Sequence, residues 1–99
     1  MSRPVRPAPR SFSEHWPDKE CSDPVAEVAR LLAIKLRVVT DIYGVREVAR
    51  RASVSSSIIS RTINGESWVD TATLARLELE LGVDLWPRRP RSSQQRKLK

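Results

Sequence analysis

Residues 45–65, VREVARRASVSSSIISRTING, constrain the fold most, because they predict two short helices joined by a tight turn. In the first helix, Val48, Ala49 and Ala52 fall on one face at helical spacing. The Ser-Val-Ser sequence that follows interrupts this spacing and therefore predicts the turn. Ser55 has the side chain of a good N-cap, so we expect the second helix to begin directly after it.

The second helix divides into an apolar side and a polar side. The polar side combines short hydroxyls, one amide and one cation with no carboxylate, a composition that suits a groove in DNA. Its members are Ser56, Ser57, Ser60, Arg61 and Asn64, and those of the apolar side are Val54, Ile58, Ile59, Thr62 and Ile63.

Two interpretations remain open for the polar side. Ser56 and Ser57 lie at the start of the helix, where base contacts are made in a helix-turn-helix, and Arg61 has the length to reach a guanine or a phosphate. An ordinary polar surface is the alternative for the serines. For Asn64, phosphate contact competes with a turn role, because Asn-Gly is itself a turn signal.

Arginines concentrate in the same stretch. Arg46, Arg50 and Arg51 lie in the first helix, and with Arg61 they predict an orientation toward a phosphate backbone. For any one of them, a solvated helix face is the alternative.

The flanking sequence predicts two further helices. Asp23-Pro24 is a typical helix start, and this helix should run to about Thr40 or Asp41. Its predicted core residues are Val25, Val28, Ala29, Leu32, Leu36 and Val39, and Leu31, Ile34 and Val38 form a second apolar stripe.

Asp70 should cap the last helix, whose inward residues are Leu74, Leu77 and Leu81, and Gly82 should end it. Leu85 and Trp86 are expected to close the core. Trp68, in the preceding loop, is more typical of a core edge than of a phosphate contact. No strand alternation is present, so the sequence predicts an all-α bundle of four to five helices.

The net charge of +6 over 99 residues is uneven. Residues 1–22 hold four basic and three acidic groups and predict a Pro/Arg-rich extended arm, onto which apolar rings such as Trp16 can dock. Residues 23–86, the predicted DNA-binding domain, hold eight basic and nine acidic groups. Residues 87–99 hold six basic groups and no acid, which predicts an extended tail attracted to phosphates without sequence preference.

The stretch VREVARRASVSSSIISRTING resembles the helix-turn-helix of the Xre and lambda-repressor class of phage and bacterial regulators. The resemblance rests on Ala49, on Ile59, on the Ser-Arg and Asn-Gly pairs, and on the spacing from Thr73-Leu74 to Leu81-Gly82-Val83 in the next helix. It implies a lambda-repressor-like bundle. The family usually has Gly where this chain has Ser53, so the turn must tolerate a Cβ there, whether or not φ is positive.

The resemblance implies a sequence-specific regulator of transcription, most simply a repressor that occupies an operator. Residues 56–61 would enter the major groove, and Arg46 would contact the backbone together with the basic tail. The DNA-binding residues expected are Arg46, Arg50, Arg51, Ser55, Ser56, Ser57, Ser60, Arg61 and Asn64.

Other functions are left open or disfavoured by the same residues. A DNA-binding antitoxin or protein-interaction adaptor, using the apolar stripe of the first helix, is the alternative, and a weak homodimer is an open possibility. We expect no enzyme, no cofactor and no metal site, because Cys21 and His15 are the only residues of their types. The longest apolar run is too short for a membrane, and a cytoplasmic, nucleoid-associated protein is expected.

Overall fold

The computed structural model describes residues 6–87, in which four α-helices follow one turn of 3-10 helix. The turn spans Pro9–Phe12, and the helices are α1 (Pro24–Tyr43), α2 (Val45–Ala52), α3 (Ser56–Ile63) and α4 (Thr71–Leu81). Residues 6–87 contain no strand, so the predicted all-α class is confirmed. Within that range no helix combines the length and apolar character needed to cross a membrane.

Three predicted N-caps are confirmed. The side chains of Asp23, Ser55 and Asp70 each accept a hydrogen bond from the backbone N–H three residues later, at 2.9, 3.2 and 2.7 Å. Each bond satisfies one of the N–H groups that the first turn of a helix leaves without an internal partner. The starts of α1, α3 and α4 are therefore set by single residues that the local sequence supplies.

The short helix α2 lies at the centre of the fold, where it packs against α1, α3 and α4. Its inward residues contribute to one apolar core that also receives side chains from the other three helices and from the segment after α4. The buried members of this core are Leu32, Leu36, Val39, Val48, Ala49, Ala52, Ile59, Leu77 and Leu85.

The buried face of α1 differs in its first half from the predicted stripe. Val25 is 55% exposed, whereas Ala26 and Ala33 are buried. This half of α1 packs against the 3-10 turn, a partner that helical spacing alone does not reveal. The second apolar stripe, which includes Ile34 at 37% exposure, remains on the surface.

Residues 6–22, called here the N-terminal segment, fold back onto the helices, and the prediction of an extended arm is wrong for them. Pro9 and Cys21 are buried. The backbone N–H of Arg10 donates to the carbonyl of Gly65 at 3.0 Å, and the indole N–H of Trp16 donates to the carbonyl of Ile63 at 2.9 Å. Buried apolar groups together with backbone pairing outweigh the tendency of a Pro-rich sequence to remain extended.

The segment after α4 closes the core with one of its two predicted residues. Leu85 is 1% exposed, but Trp86 is 56% exposed and does not belong to the core. The carboxylate of Glu78 accepts the backbone N–H groups of both, at 2.8 and 2.9 Å, and these bonds lower the pKa of Glu78. Pro87 is buried, while residues 88–99, the remainder of the predicted basic tail, lie outside the described residues.

Candidate nucleic-acid interface

The turn between α2 and α3 depends on a serine in a left-handed conformation. Ser53 has φ of 58° and ψ of 43°. The next N–H, that of Val54, donates to the carbonyl of Ala49 at 3.0 Å, so the end of α2 is closed by the turn itself. A left-handed conformation costs a residue with a Cβ about 1–2 kcal/mol. The Cβ expected at this position is therefore accommodated at positive φ, and α3 leaves α2 at a fixed angle.

The apolar side of α3 is narrower than the sequence predicts. Ile59 is fully buried, and Thr62 is 6% exposed with its hydroxyl donating to the carbonyl of Ile58 at 2.8 Å. Ile58, also on the apolar side, is 38% exposed and lies at the edge of the buried surface. α3 packs against both α1 and α2, and Ile58 lies outside these two contacts.

All members of the polar side of α3 are solvent-exposed. Ser57, Arg61 and Asn64 follow one another at spacings of four and three residues, and thus line one strip along the helix. Ser56 and Ser60 border this strip and are also exposed. The structure therefore brings the five predicted residues onto one surface, where each is accessible to a macromolecular partner.

Ser55, the other serine expected to bind DNA, has a structural role. Its hydroxyl oxygen caps α3 by accepting the N–H of Ile58. The side chain is exposed at the start of the helix. The cap uses one of the two lone pairs of this oxygen, so its hydroxyl proton and second lone pair remain available to a partner.

An ion-pair network that the sequence analysis did not consider modifies the cations of α2. Glu47 accepts two bonds from Arg50, at 3.0 and 2.6 Å, and a third from Arg51 at 2.8 Å. Hydrogen bonding from Arg50, and then from Arg51, lowers the pKa of Glu47 to about 2. Arg51 also lies over the ring of Tyr43, 4.8 Å from its centroid. Glu47, Arg50 and Arg51, the three charged groups of this network, together carry one net positive charge.

Arg46 differs from these two arginines. Its side chain is exposed, and within residues 6–87 no carboxylate lies close enough to pair with it. Arg61 on α3 is likewise exposed and has no carboxylate partner in the described range. These two guanidinium groups are therefore free to bind an external anion without first breaking an internal pair.

The Asn64-Gly65 pair forms the turn that its sequence predicts. The N–H of Asn64 donates to the carbonyl of Ser60 at 2.9 Å, and Gly65 has φ of 71°. A Cβ built on Gly65 would lie 2.5 Å from Cε2 of Trp16, so glycine is required by both conformation and space. The side chain of Asn64 remains exposed, which leaves its amide available for a second role.

Trp68 contacts the N-terminal segment. Its ring is half-buried, and its indole N–H donates to the carbonyl of Pro7 at 2.8 Å. The guanidinium of Arg6 lies over the ring, 5.2 Å from the centroid. The indole N–H therefore bonds the protein's own backbone, and Trp68 helps to hold the N-terminal segment beside the loop that follows α3.

Within residues 6–87 no group of three or more histidine, cysteine, aspartate or glutamate side chains is arranged to hold a metal ion. Comparisons with protein-family models, with curated proteins and with solved structures gave no match.

Proposed function

We propose that this protein is a double-stranded DNA-binding regulator of transcription that inserts α3 into the major groove. The observation that carries the proposal is the polar side of α3, a strip of exposed hydroxyl, amide and guanidinium groups that contains no carboxylate. Such groups form hydrogen bonds with base edges and phosphates, whereas carboxylates would repel the backbone. Occupying an operator, and thereby repressing transcription, is the simplest mode of action.

The surrounding charges support the same orientation. Arg46 at the start of α2 and Arg61 on α3 both offer guanidinium groups to a phosphate backbone. The sequence adds six basic residues and no acid after residue 86, and these supply attraction without sequence preference. A protein of this kind would act in a bacterial cytoplasm, in association with the nucleoid.

Duplex titrations across a range of salt concentrations test the proposal. Each phosphate that the protein neutralises releases counterions, so the logarithm of the affinity should fall linearly with the logarithm of salt. A duplex selected for tight binding should also bind more tightly than random duplexes of the same length. Affinity that does not change with salt, or equal affinity for selected and random duplexes, would contradict the proposal.

Removal of residues 88–99 separates the two contributions. The truncated protein should bind every duplex more weakly and with a shallower salt dependence, because six positive charges are lost. The affinity ratio between selected and random duplexes should be preserved, since base contacts come from α3. A ratio that falls toward one on truncation would assign sequence recognition to the tail.

One observation favours a second candidate function, that of a protein-interaction adaptor or DNA-binding antitoxin. Leu31, Ile34 and Val38 expose 37%, 37% and 56% of their surfaces along α1. Ile34→Glu should leave duplex affinity unchanged if DNA binding is the main function. If that variant also loses self-association in sedimentation experiments, the stripe is assigned to a weak homodimer and not to a second protein partner.

A further inference from the structure

A cleft of about 630 Å³ opens beside the C-terminal end of α3. The N-terminal segment forms one wall, α1 forms another, and the turn after α3 closes the third side. Two guanidinium groups and one amide, those of Arg10, Arg37 and Asn64, line it together with the ring of Trp16. Neither Arg10 nor Arg37 belongs to the helix-turn-helix, and only the folding back of the N-terminal segment brings them to this place.

The cleft continues the strip that α3 exposes. Asn64 is seven residues after Ser57 on the same face, and a rise of 1.5 Å per residue separates the two by about 10 Å along the axis. The major groove is about 12 Å wide and is bordered by phosphates. When Ser57 lies over base edges in the groove, the cleft therefore lies at the level of the bordering strand.

The charges in the cleft match a phosphodiester. Arg10 pairs with Glu66 at 3.6 Å, and both side chains are about half exposed. A solvated ion pair of this kind is weak, so Arg10 can release Glu66 and bind another anion at little cost in free energy. Arg37 is exposed, and among residues 6–87 no carboxylate pairs with it. Arg10, Arg37 and Glu66 together carry one net positive charge. This charge equals in magnitude the single negative charge of a phosphodiester. Guanidinium groups bind phosphate oxygens through paired N–H donors.

We propose that this cleft binds a phosphate of the DNA strand that borders the groove occupied by α3, an inference that rests on the proposed function. Arg37 donates to the phosphate oxygens, the amide of Asn64 adds a neutral donor, and Arg10 exchanges its bond with Glu66 for the phosphate. The carboxylate of Glu66 opposes binding, because it competes for Arg10 and repels the phosphate. The N-terminal segment thereby becomes part of the DNA-binding surface.

Duplex titrations with three single variants of the full chain test the assignment. Arg37→Gln should weaken binding to every duplex by about 3- to 10-fold and lower the salt slope by about one. Lys35→Gln is the matched control, because Lys35 lies two positions earlier on α1 in a different groove, beside Asp84 and Trp86. Its affinity should change by less than about twofold. Glu66→Gln should bind about 2- to 5-fold more tightly, since the opposing charge is gone.

The outcomes separate this inference from the function on which it rests. If the parent protein binds no duplex, the proposed function fails. If the parent binds but Arg37→Gln and Lys35→Gln weaken it equally, or Glu66→Gln weakens it, the phosphate site is overturned and DNA binding stands. Thermal melts of the three variants identify any loss of affinity that arises from unfolding.

A second arm distinguishes the strand from a free phosphoanion. Inorganic pyrophosphate is titrated into the parent and into Arg37→Gln while the NMR signal of the Trp16 indole N–H is followed. Weak, non-saturating shifts in the millimolar range are expected if the cleft serves DNA. Saturable pyrophosphate binding that Arg37→Gln abolishes, together with unchanged duplex affinity in that variant, would assign the cleft to a small phosphoanion and overturn the proposal.

Discussion

The indole N–H of Trp16 donates a hydrogen bond to the backbone carbonyl of Ile63, with 2.9 Å between nitrogen and oxygen. That carbonyl belongs to the last turn of α3, where helix carbonyls have no internal partner. Forty-seven residues of chain separate the two groups. The bond therefore attaches the N-terminal segment to the end of the helix that we propose enters DNA, and disturbance of either element should be felt by the other.

Gly65→Ala should detach the N-terminal segment. The new Cβ would lie 2.5 Å from Trp16 and 2.8 Å from Cβ of Arg10, at a residue with φ of 71°. We expect a loss of about 1–3 kcal/mol in the free energy of unfolding. Trp16 should also become more exposed, which the NMR signal of its indole N–H would report by losing the shift caused by its bond to Ile63.

The double variant Trp16→Ala/Gly65→Ala is the control for this mechanism. With the ring removed, the steric part of the Gly65→Ala effect disappears and only the backbone strain remains. The combined loss should be smaller than the sum of the two single losses by at least about 0.5 kcal/mol. Additive losses would show that the ring and Gly65 are not in contact.

Neighbouring residues of α3 should lose function for different reasons. Ser57→Ala removes an exposed hydroxyl, so its melting temperature should stay near that of the parent while preference for a selected duplex falls. Arg61→Ala should also keep its stability but lose more affinity, through the loss of a charged contact. Ile59→Ala creates a cavity where the parent side chain is fully buried, at about 2–5 kcal/mol, and should lose binding through unfolding. Parent-like affinity in both exposed variants would exclude α3 as the recognition helix.

Ser53→Gly should stabilise the protein. The left-handed conformation of Ser53 costs about 1–2 kcal/mol, and the greater freedom of glycine in the unfolded chain returns about 0.4–1 of it. A net gain of about 0.5–1 kcal/mol corresponds to a rise of roughly 2–8 °C in Tm for a domain of this size. Ser53→Ala is the control, since alanine retains the strain and should give no such rise. Equal Tm changes in both variants would contradict this account of the turn.

Glu47→Gln should increase affinity for DNA. The change removes the carboxylate that holds Arg50 and Arg51, so both cations become available to phosphates. We expect about 2- to 5-fold tighter binding to all duplexes at low salt, converging with the parent at high salt. Glu80→Gln on α4 makes the same change of charge at an exposed position and should alter affinity far less. Equal gains in the two variants would mean that only total charge matters.

Stability should fall in acid partly through Glu78. Backbone N–H groups of Trp86 and Leu85 hold the pKa of Glu78 below its ordinary value of 4.5. A carboxylate with a lowered pKa contributes stability that is fully present above 4.5 and is lost as pH falls through the lowered pKa. The stabilities of the parent and of Glu78→Gln, measured by denaturant unfolding, should thus differ at neutral pH, approach each other as pH falls below 4.5, and converge below the lowered pKa of Glu78. A difference that is constant with pH would show that the carboxylate does not hold these N–H groups.

Features of this fold that depend on neighbouring residues could be predicted from the sequence, whereas features that depend on contacts between distant parts of the chain could not. The caps at Asp23 and Ser55 depend on atoms three residues away, so their residue types were sufficient evidence. The docking of Trp16 was foreseen only as a tendency, because its acceptor on Ile63 lies far along the chain. Exposure of Val25 and burial of Ala26 were missed because the 3-10 turn that packs against α1 belongs to another part of the chain and is not visible in helical spacing.

The residues of the candidate site also fall into those that helical spacing could predict and those that tertiary contacts bring together. Helical spacing placed Ser57 and Arg61 on one exposed surface because both belong to one helix. The pairing of Glu47 with Arg50 and Arg51 was also within reach, since the spacings of three and four residues are visible in the sequence. The convergence of Arg10 with Arg37 had no such signal, because it requires the tertiary position of the N-terminal segment.

The central place of α2 has a consequence for how the protein opens. A helix of eight residues has almost no stability of its own in water, so α2 stays helical only while its three neighbours remain packed around it. Those neighbours in turn share one core with α2, so loss of α2 would expose apolar side chains on all three. Core amide hydrogens of all four helices should therefore exchange at the rate set by global unfolding, with faster exchange only at fraying helix ends, and the proposed DNA-binding surface should be present or absent as a single cooperative unit.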